Sequence, residues 1–219
     1  ECSPLLSSRL IDVDEIRDWL RQRLQQKDFF TLYQPIFDIQ NGQLFGYEAL
    51  LRVDAKYGLS PLELFSMARA AEMTYELDMS ALQTAICSCT ASDVKLFINV
   101  FPSTLLHPQF FPDFERVLHA SGLSAHRIML EINENEMIAN YTCLKECLER
   151  LQEMNVSIVL DDVGSGYSLQ MLTELESDMI KIDRFWVEDV DQSPKKQRML
   201  QFICELTERR MRIVAEGIE

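Results

Sequence analysis

Six short apolar runs, each closing on an acid, an amide or a lysine, constrain this chain more than any other feature. They read LFGYEALLR, LFINV, IMLEINE, IVLDD, MIKID and RIVAEGIE. The polar residues at or near their ends are Glu48, Asn99, Glu131 with Glu134, Asp161 with Asp162, Lys181, and Glu216. The spacing between them fits strand, crossover helix, strand, repeated around a closed sheet, and the pattern is α/β with a mostly parallel sheet. Side chains at the carboxyl ends of parallel strands converge on one face of such a barrel. Carboxylates gathered in that way repel one another unless cations sit among them.

The rest of the chain fits the same scheme. Residues 1–9 read as the end of a linker. Residues 11–27 place Ile11, Val13, Ile16, Trp19, Leu20 and Leu24 at helical spacing among charges, with an acidic start and a basic end. FFTLYQPIFDI and QLFGYEALLRV read as an antiparallel pair with Asn41-Gly42 as the hairpin turn. Ser60-Pro61 begins a helix, and a second covers roughly 75–90. Residues 103–121 read as helix with proline interruptions, 137–154 as a strongly amphipathic helix, and 194–210 as a long one. Seven strands result. An eight-stranded barrel needs one more strand and helix, and we expect the native chain to supply them beyond Glu219. A start at Glu1 rather than Met is likewise expected of a piece of a longer protein.

Composition narrows the function. Acids number 35 against 21 bases, for a formal net charge of −14. Such a surface disfavours duplex DNA and anionic lipid but not a small phosphate ligand held through metals. None of the six cysteines forms a CxxC pair, and none of the three histidines stands one helical turn from a cysteine, so a zinc site is not expected. Free thiols suit a reducing cytoplasm. No apolar stretch approaches the about 18 residues of a membrane span.

Glu48, Asn99, Glu131 and Asp161 supply four oxygen ligands from four strands, the chemistry that Mg²⁺ and Mn²⁺ prefer. Adjacent Asp161 and Asp162 allow one carboxylate to bridge two cations while its neighbour binds the second. Such a pair suits in-line attack of water on a phosphodiester. Lys181 falls on the same face, to orient the nucleophile or screen charge. Glu216 is a ligand of the second cation or an acceptor of the water's proton. Taken singly, each acid is more often a helix cap or a turn residue, and Lys181 more often a salt-bridge partner of Asp183 or Glu216. The joint pattern carries the inference.

The string YEALLR at 47–52 resembles the signature of the EAL family, the bacterial cyclic di-GMP phosphodiesterases. The resemblance extends through YQPI at 33–36, FINVFP at 97–102, LEINE at 130–134, DDVGSGYS at 161–168, IKIDR at 180–184 and VAEGIE at 214–219. It implies a TIM-like (β/α) barrel with an antiparallel first strand, occupying residues 10–219, that hydrolyses cyclic di-GMP to linear pGpG. It further implies two ions, Mg²⁺ or Mn²⁺, with Ca²⁺ inhibitory. Glu48, Asn99, Glu131 and Asp161 would bind one ion, and Asp161, Asp162 and Glu216 the other. Lys181 would contact the attacking water, Glu134 would brace the loop after Asp162, and Gln34 and Arg52 would hold the substrate. A homodimer and an upstream sensor or GGDEF-type domain are the partners implied.

The chain departs from the family pattern in the loop DDVGSGYSLQ, where the usual string is DDFGTGYSSL, and at Phe101, where a small polar residue is usual. The loop departure supports the rival expectation, a receptor that holds cyclic di-GMP without cutting it.

Overall fold

The computed structural model describes residues 12–91, 93–133, 136, 138, 140–164, 168–207 and 211–218. In chain order the elements are α1 (Val13–Gln26), β1 (Phe29–Phe37), β2 (Leu44–Val53), α2 (Pro61–Ala70), α3 (Thr74–Ser88), β3 (Lys95–Val100), α4 (Pro102–Leu105), α5 (Phe110–Ser121), β4 (Ile128–Ile132), α6 (Tyr141–Glu153), β5 (Ser157–Val163), α7 (Ser168–Glu174), β6 (Met179–Ile182), α8 (Arg184–Val187), α9 (Pro194–Leu206) and β7 (Arg212–Ala215). The strands follow one another through the sheet in chain order. β1 and β2 are antiparallel, while β2–β3, β4–β5, β5–β6 and β6–β7 are parallel. The chain forms two compact units, one of residues 1–98 and 107–124, the other of 99–106 and 125–219.

Local chemistry sets the helix starts in the first unit. The Asp12 carboxylate accepts from Asp14 N–H ahead of α1, and Lys27 closes that helix in the left-handed region. Ser60 and Glu63 form a reciprocal capping box at the start of α2, with Pro61 in the first turn where its missing N–H costs nothing. Along the second half of β2 burial alternates. Ala49, Leu51 and Val53 are buried, while Glu48, Leu50 and Arg52 stand half-buried on the opposite face. Leu51 and Val53 join Ile16, Leu20, Phe29, Leu64, Ala68 and Leu77 in one apolar cluster, which ties α1 and α2 to the hairpin.

In the second unit β4, β5 and β6 are buried on both faces, as a parallel sheet covered by helices requires, whereas β7 is largely exposed. All residues of β4 and β6 are buried. Leu144, Cys147, Leu148 and Leu151 form the inward stripe of α6. Helix α6 begins at Tyr141, because Asn140 caps it by accepting from Cys143 N–H, and not at 137 as the periodicity suggested. The 103–121 region is two helices, separated around Pro108, with Pro112 tolerated in the first turn of α5. The connection of β1 to β2 is longer than a two-residue turn. Asp38 N–H pairs with Gln43 C=O, Gly42 N–H with Asp38 C=O, and a register shift precedes it at Ile36/Phe37. Asn41-Gly42 lies within this loop, with Gly42 at φ 69°.

Candidate active site

Within the second unit, Asn99 near the end of β3, Glu131 in β4, Asp161 and Asp162 in β5, Lys181 in β6 and Glu216 just after β7 come together. The Lys181 ammonium is the centre. Its Nζ lies 3.0 Å from Glu131 Oε1, 3.1 Å from Asp161 Oδ1 and 2.7 Å from Glu216 Oε1. Glu131 is fully buried and Lys181 is 2% exposed, so these charges interact with little solvent screening. Asn99 Nδ2 donates to Glu131 Oε2 at 3.1 Å. Of the two partners considered for Lys181, Glu216 is realised; Asp183 instead caps α8 by accepting from Phe185 N–H.

Adjacent residues of a regular strand point to opposite faces, so Asp161 and Asp162 need a special backbone to share a site. β5 provides it. Leu160 pairs with Ile180 and Val163 with Ile182, so two aspartates lie opposite Lys181 alone, which is a β-bulge. Asp162 takes the extra residue's conformation at φ 55°, in the left-handed region that Asp tolerates better than most side chains. Oxygens of Asp161, Asp162 and Glu216 then lie within 4.8 Å of one another. Asn133 Nδ2 donates to Asp162 Oδ2 at 2.9 Å. Burial raises the Asp162 pKa above the ordinary carboxylate range and the Asp161 charge adds to the rise; the Asn133 bond and Lys181 oppose it.

Three carboxylates thus meet one ammonium, and a fourth, that of Asp162, lies close to two of them. Glu131 Oε1 and Asp161 Oδ1 are buried and meet Lys181 as ion pairs without hydrogen-bond geometry. Buried carboxylate oxygens in excess of the local positive charge, with a carboxamide beside them, are a fitting donor set for hard divalent cations.

The first unit groups Gln34, Glu48 and Arg52 on one face of its hairpin. Gln34 stands directly opposite Glu48 across the antiparallel pair, and Arg52 lies four residues further along β2. Gln34 is exposed and the other two half-buried, with Arg52 Nη1 donating to Leu51 C=O at 2.8 Å. Glu134 lies outside the described residues.

The sequence reading missed two supports. Asn133 was legible in principle, since it stands two residues after Glu131 and so on the same side of the chain. Trp186 was not. Its indole Nε1–H donates to Gly164 C=O at 2.8 Å, a contact between the segments that follow β5 and β6, which no local pattern announces.

A profile of the EAL domain matches residues 17–219. The probable cyclic di-GMP phosphodiesterase PdeI of Escherichia coli is 33% identical over 91% of this chain and 27% of its own length. The cyclic di-GMP phosphodiesterase NbdA of Pseudomonas aeruginosa is 29% identical over 94% of the chain and 28% of its own. This chain therefore spans less than a third of those relatives. Among solved structures, Klebsiella pneumoniae BlrP1 in a manganese and cyclic di-GMP complex superposes with a TM-score of 0.77 at 30% identity, covering 88% of this chain and 50% of that one. The fold is the α/β, TIM-like one of such domains, with its first strand pair antiparallel. In sequence and in fold, this chain belongs to the EAL domain family.

Proposed function

We propose that this domain hydrolyses cyclic di-GMP to linear pGpG with two divalent cations, Mg²⁺ or Mn²⁺. The supporting observation is the bulge that turns both Asp161 and Asp162 toward the pocket of acids around Lys181. Asn99, Glu131 and Asp161 are the proposed donors to one ion, with Glu48 assigned to the same role by its motif. Asp161, Asp162 and Glu216 are the proposed donors to the other. Bound there, the ions would supply Lewis-acid activation of water and screening of phosphate charge. In the reaction a water oxygen bonds to phosphorus, the P–O3′ bond breaks, and the water's protons pass to the leaving oxygen and the medium. Glu216 is the proposed acceptor of the first proton. Lys181 contributes positive charge beside the attacking water, and Gln34 and Arg52 hold the substrate through hydrogen bonds and charge. Glu134 keeps its proposed role in bracing the loop after Asp162.

Relatives bearing the phosphodiesterase name support this reading, as does a neighbour solved with cyclic di-GMP and either manganese or calcium. Among the described residues no helix is long and apolar enough to cross a membrane. We place the domain in the cytoplasm, as a homodimer, within a longer protein carrying an upstream sensor or GGDEF-type domain.

The test is chromatography of cyclic di-GMP incubated with the protein in Mg²⁺, Mn²⁺, Ca²⁺ or chelator. Metal-dependent pGpG is expected with Mg²⁺ and Mn²⁺, and none with Ca²⁺ or chelator. Glu48→Ala and Asp161→Ala are each expected to abolish product. Wild-type turnover in either variant would sink the two-ion assignment, and nucleotide binding without product would make the domain a receptor.

A further inference from the structure

Two residues after the second aspartate of the bulge comes a position that cannot carry a side chain. Gly164 has φ 109°, and a Cβ built there would fall 2.4 Å from Trp186 Nε1 and 2.6 Å from its Cδ1. The indole therefore lies directly on the backbone at Gly164, and its N–H donates to the Gly164 carbonyl at 2.8 Å. Val163, between Asp162 and Gly164, is fully buried. The chain is thus held at Asp162 by the Asn133 amide, at Val163 by the core, and at Gly164 by Trp186.

The far end of this support is itself anchored. Asp183 caps α8 by accepting from Phe185 N–H at 2.8 Å, and Trp186 N–H donates to Asp183 C=O at 3.0 Å. Two residues before Asp183, Lys181 meets Asp161. A short circuit results: Asp161 and Asp162, Gly164, Trp186, Asp183, Lys181, and back to Asp161. Left-handed backbone at an aspartate is a sparsely populated conformation that persists only where surroundings over-determine it, while the positive φ two residues later is one that glycine adopts freely. The indole adds to that determination at Gly164, as Asn133 does at Asp162.

We propose that Trp186 is a positioning residue for the Asp161–Asp162 bulge: its hydrogen bond to Gly164 fixes the loop so that the Asp162 carboxylate is presented to a divalent cation. This deepens the reading above and rests on it. Trp186 touches neither cation nor substrate in this role; it acts through the backbone of its partner. The consequence is reciprocal. A cation that orders Asp162 also orders the loop against the indole, so Trp186 emission reports occupancy of the site.

Two measurements test this. The first is Mn²⁺ titration followed by the free-ion paramagnetic resonance signal, comparing the unsubstituted chain with Trp186→Phe, which keeps an aromatic ring and removes the N–H. The lost hydrogen bond predicts binding at the weaker site about 3- to 10-fold poorer under conditions where both chains remain fully folded, as a urea titration of each checks. The second uses Trp19→Phe, which leaves Trp186 as the remaining tryptophan. Its indole emission is expected to shift on adding Mg²⁺, and to stay constant when Asp162→Asn is introduced as well. Equal Mn²⁺ affinity in Trp186→Phe and the unsubstituted chain, or emission indifferent to Mg²⁺ in a chain that binds the ion, overturns the positioning role and leaves the proposed function standing. Absence of Mn²⁺ binding by the unsubstituted chain overturns both.

Discussion

Lys181 is the residue whose surroundings leave it least freedom. Its ammonium is buried and meets three carboxylates, so a neutral side chain of similar reach would leave those acids facing one another. Removing one member of a buried ionic group costs roughly 3–5 kcal/mol. Lys181→Met is therefore expected to melt well below the parent in chelator, and to recover part of the difference in Mn²⁺, since a divalent ion replaces the lost charge. A thermal melt under both conditions reads this. Equal melting in chelator would mean that the acids do not depend on the lysine. Cys147 is constrained in another way. Its Sγ donates to Leu105 C=O, and burial pushes the thiol up to about 11, with Arg150 opposing. At pH 8 about one molecule in a thousand then carries the thiolate. Iodoacetamide is expected to label exposed Cys87 and Cys143 quickly and Cys147 only on unfolding, which peptide mass mapping resolves.

Among the elements, strands and long helices were legible because burial imposes a period. The two-residue alternation in the second half of β2 and the apolar runs of β4 and β6, each interrupted by one charged residue, declare themselves in sequence. Helix starts were legible where a cap was written locally, as at Ser60-Pro61. The bulge in β5 was not, because it is defined by what stands opposite. IVLDD reads as a plain strand until Lys181 is seen to face both aspartates. Sequence placed the acids at strand ends, yet it gave no reason for two neighbours to point the same way. The four-residue α8 was missed for a similar reason, being too short to show a period and fixed by the Asp183 cap and by Trp186. The segment from β5 to α8 also carries a prediction. Gly164→Ala puts a methyl group against the indole at a backbone angle that side chains rarely adopt. A loss of about 1–3 kcal/mol in urea unfolding is expected, and an unchanged midpoint would show that the loop relaxes freely.

For the molecule as a whole, charge is the governing quantity. A formal net charge of −14 opposes compaction, and the carboxylates around Lys181 concentrate part of that opposition in the second unit. Any cation that binds the folded chain and not the unfolded one stabilises it by mass action, by about 2.7 kcal/mol at one hundred times its dissociation constant. Calorimetry is expected to show the melting temperature rising with Mn²⁺ concentration, and the rise is expected to shrink sharply in Asp161→Ala. A rise of equal size in that variant would assign the effect to the acidic surface rather than to the site.

The left-handed backbone of Asp162 also shapes how this lineage is able to change. Lengthening the side chain to Glu preserves charge yet forces an ill-suited residue into that conformation, whereas Asn suits the angle and keeps a polar head within reach of Asn133. Asn and Glu each lie one base change from Asp, so the backbone and not the codon separates the two paths. Descent with an intact fold and a silenced acid is the path this angle favours, and the charge-conserving path is the one it resists.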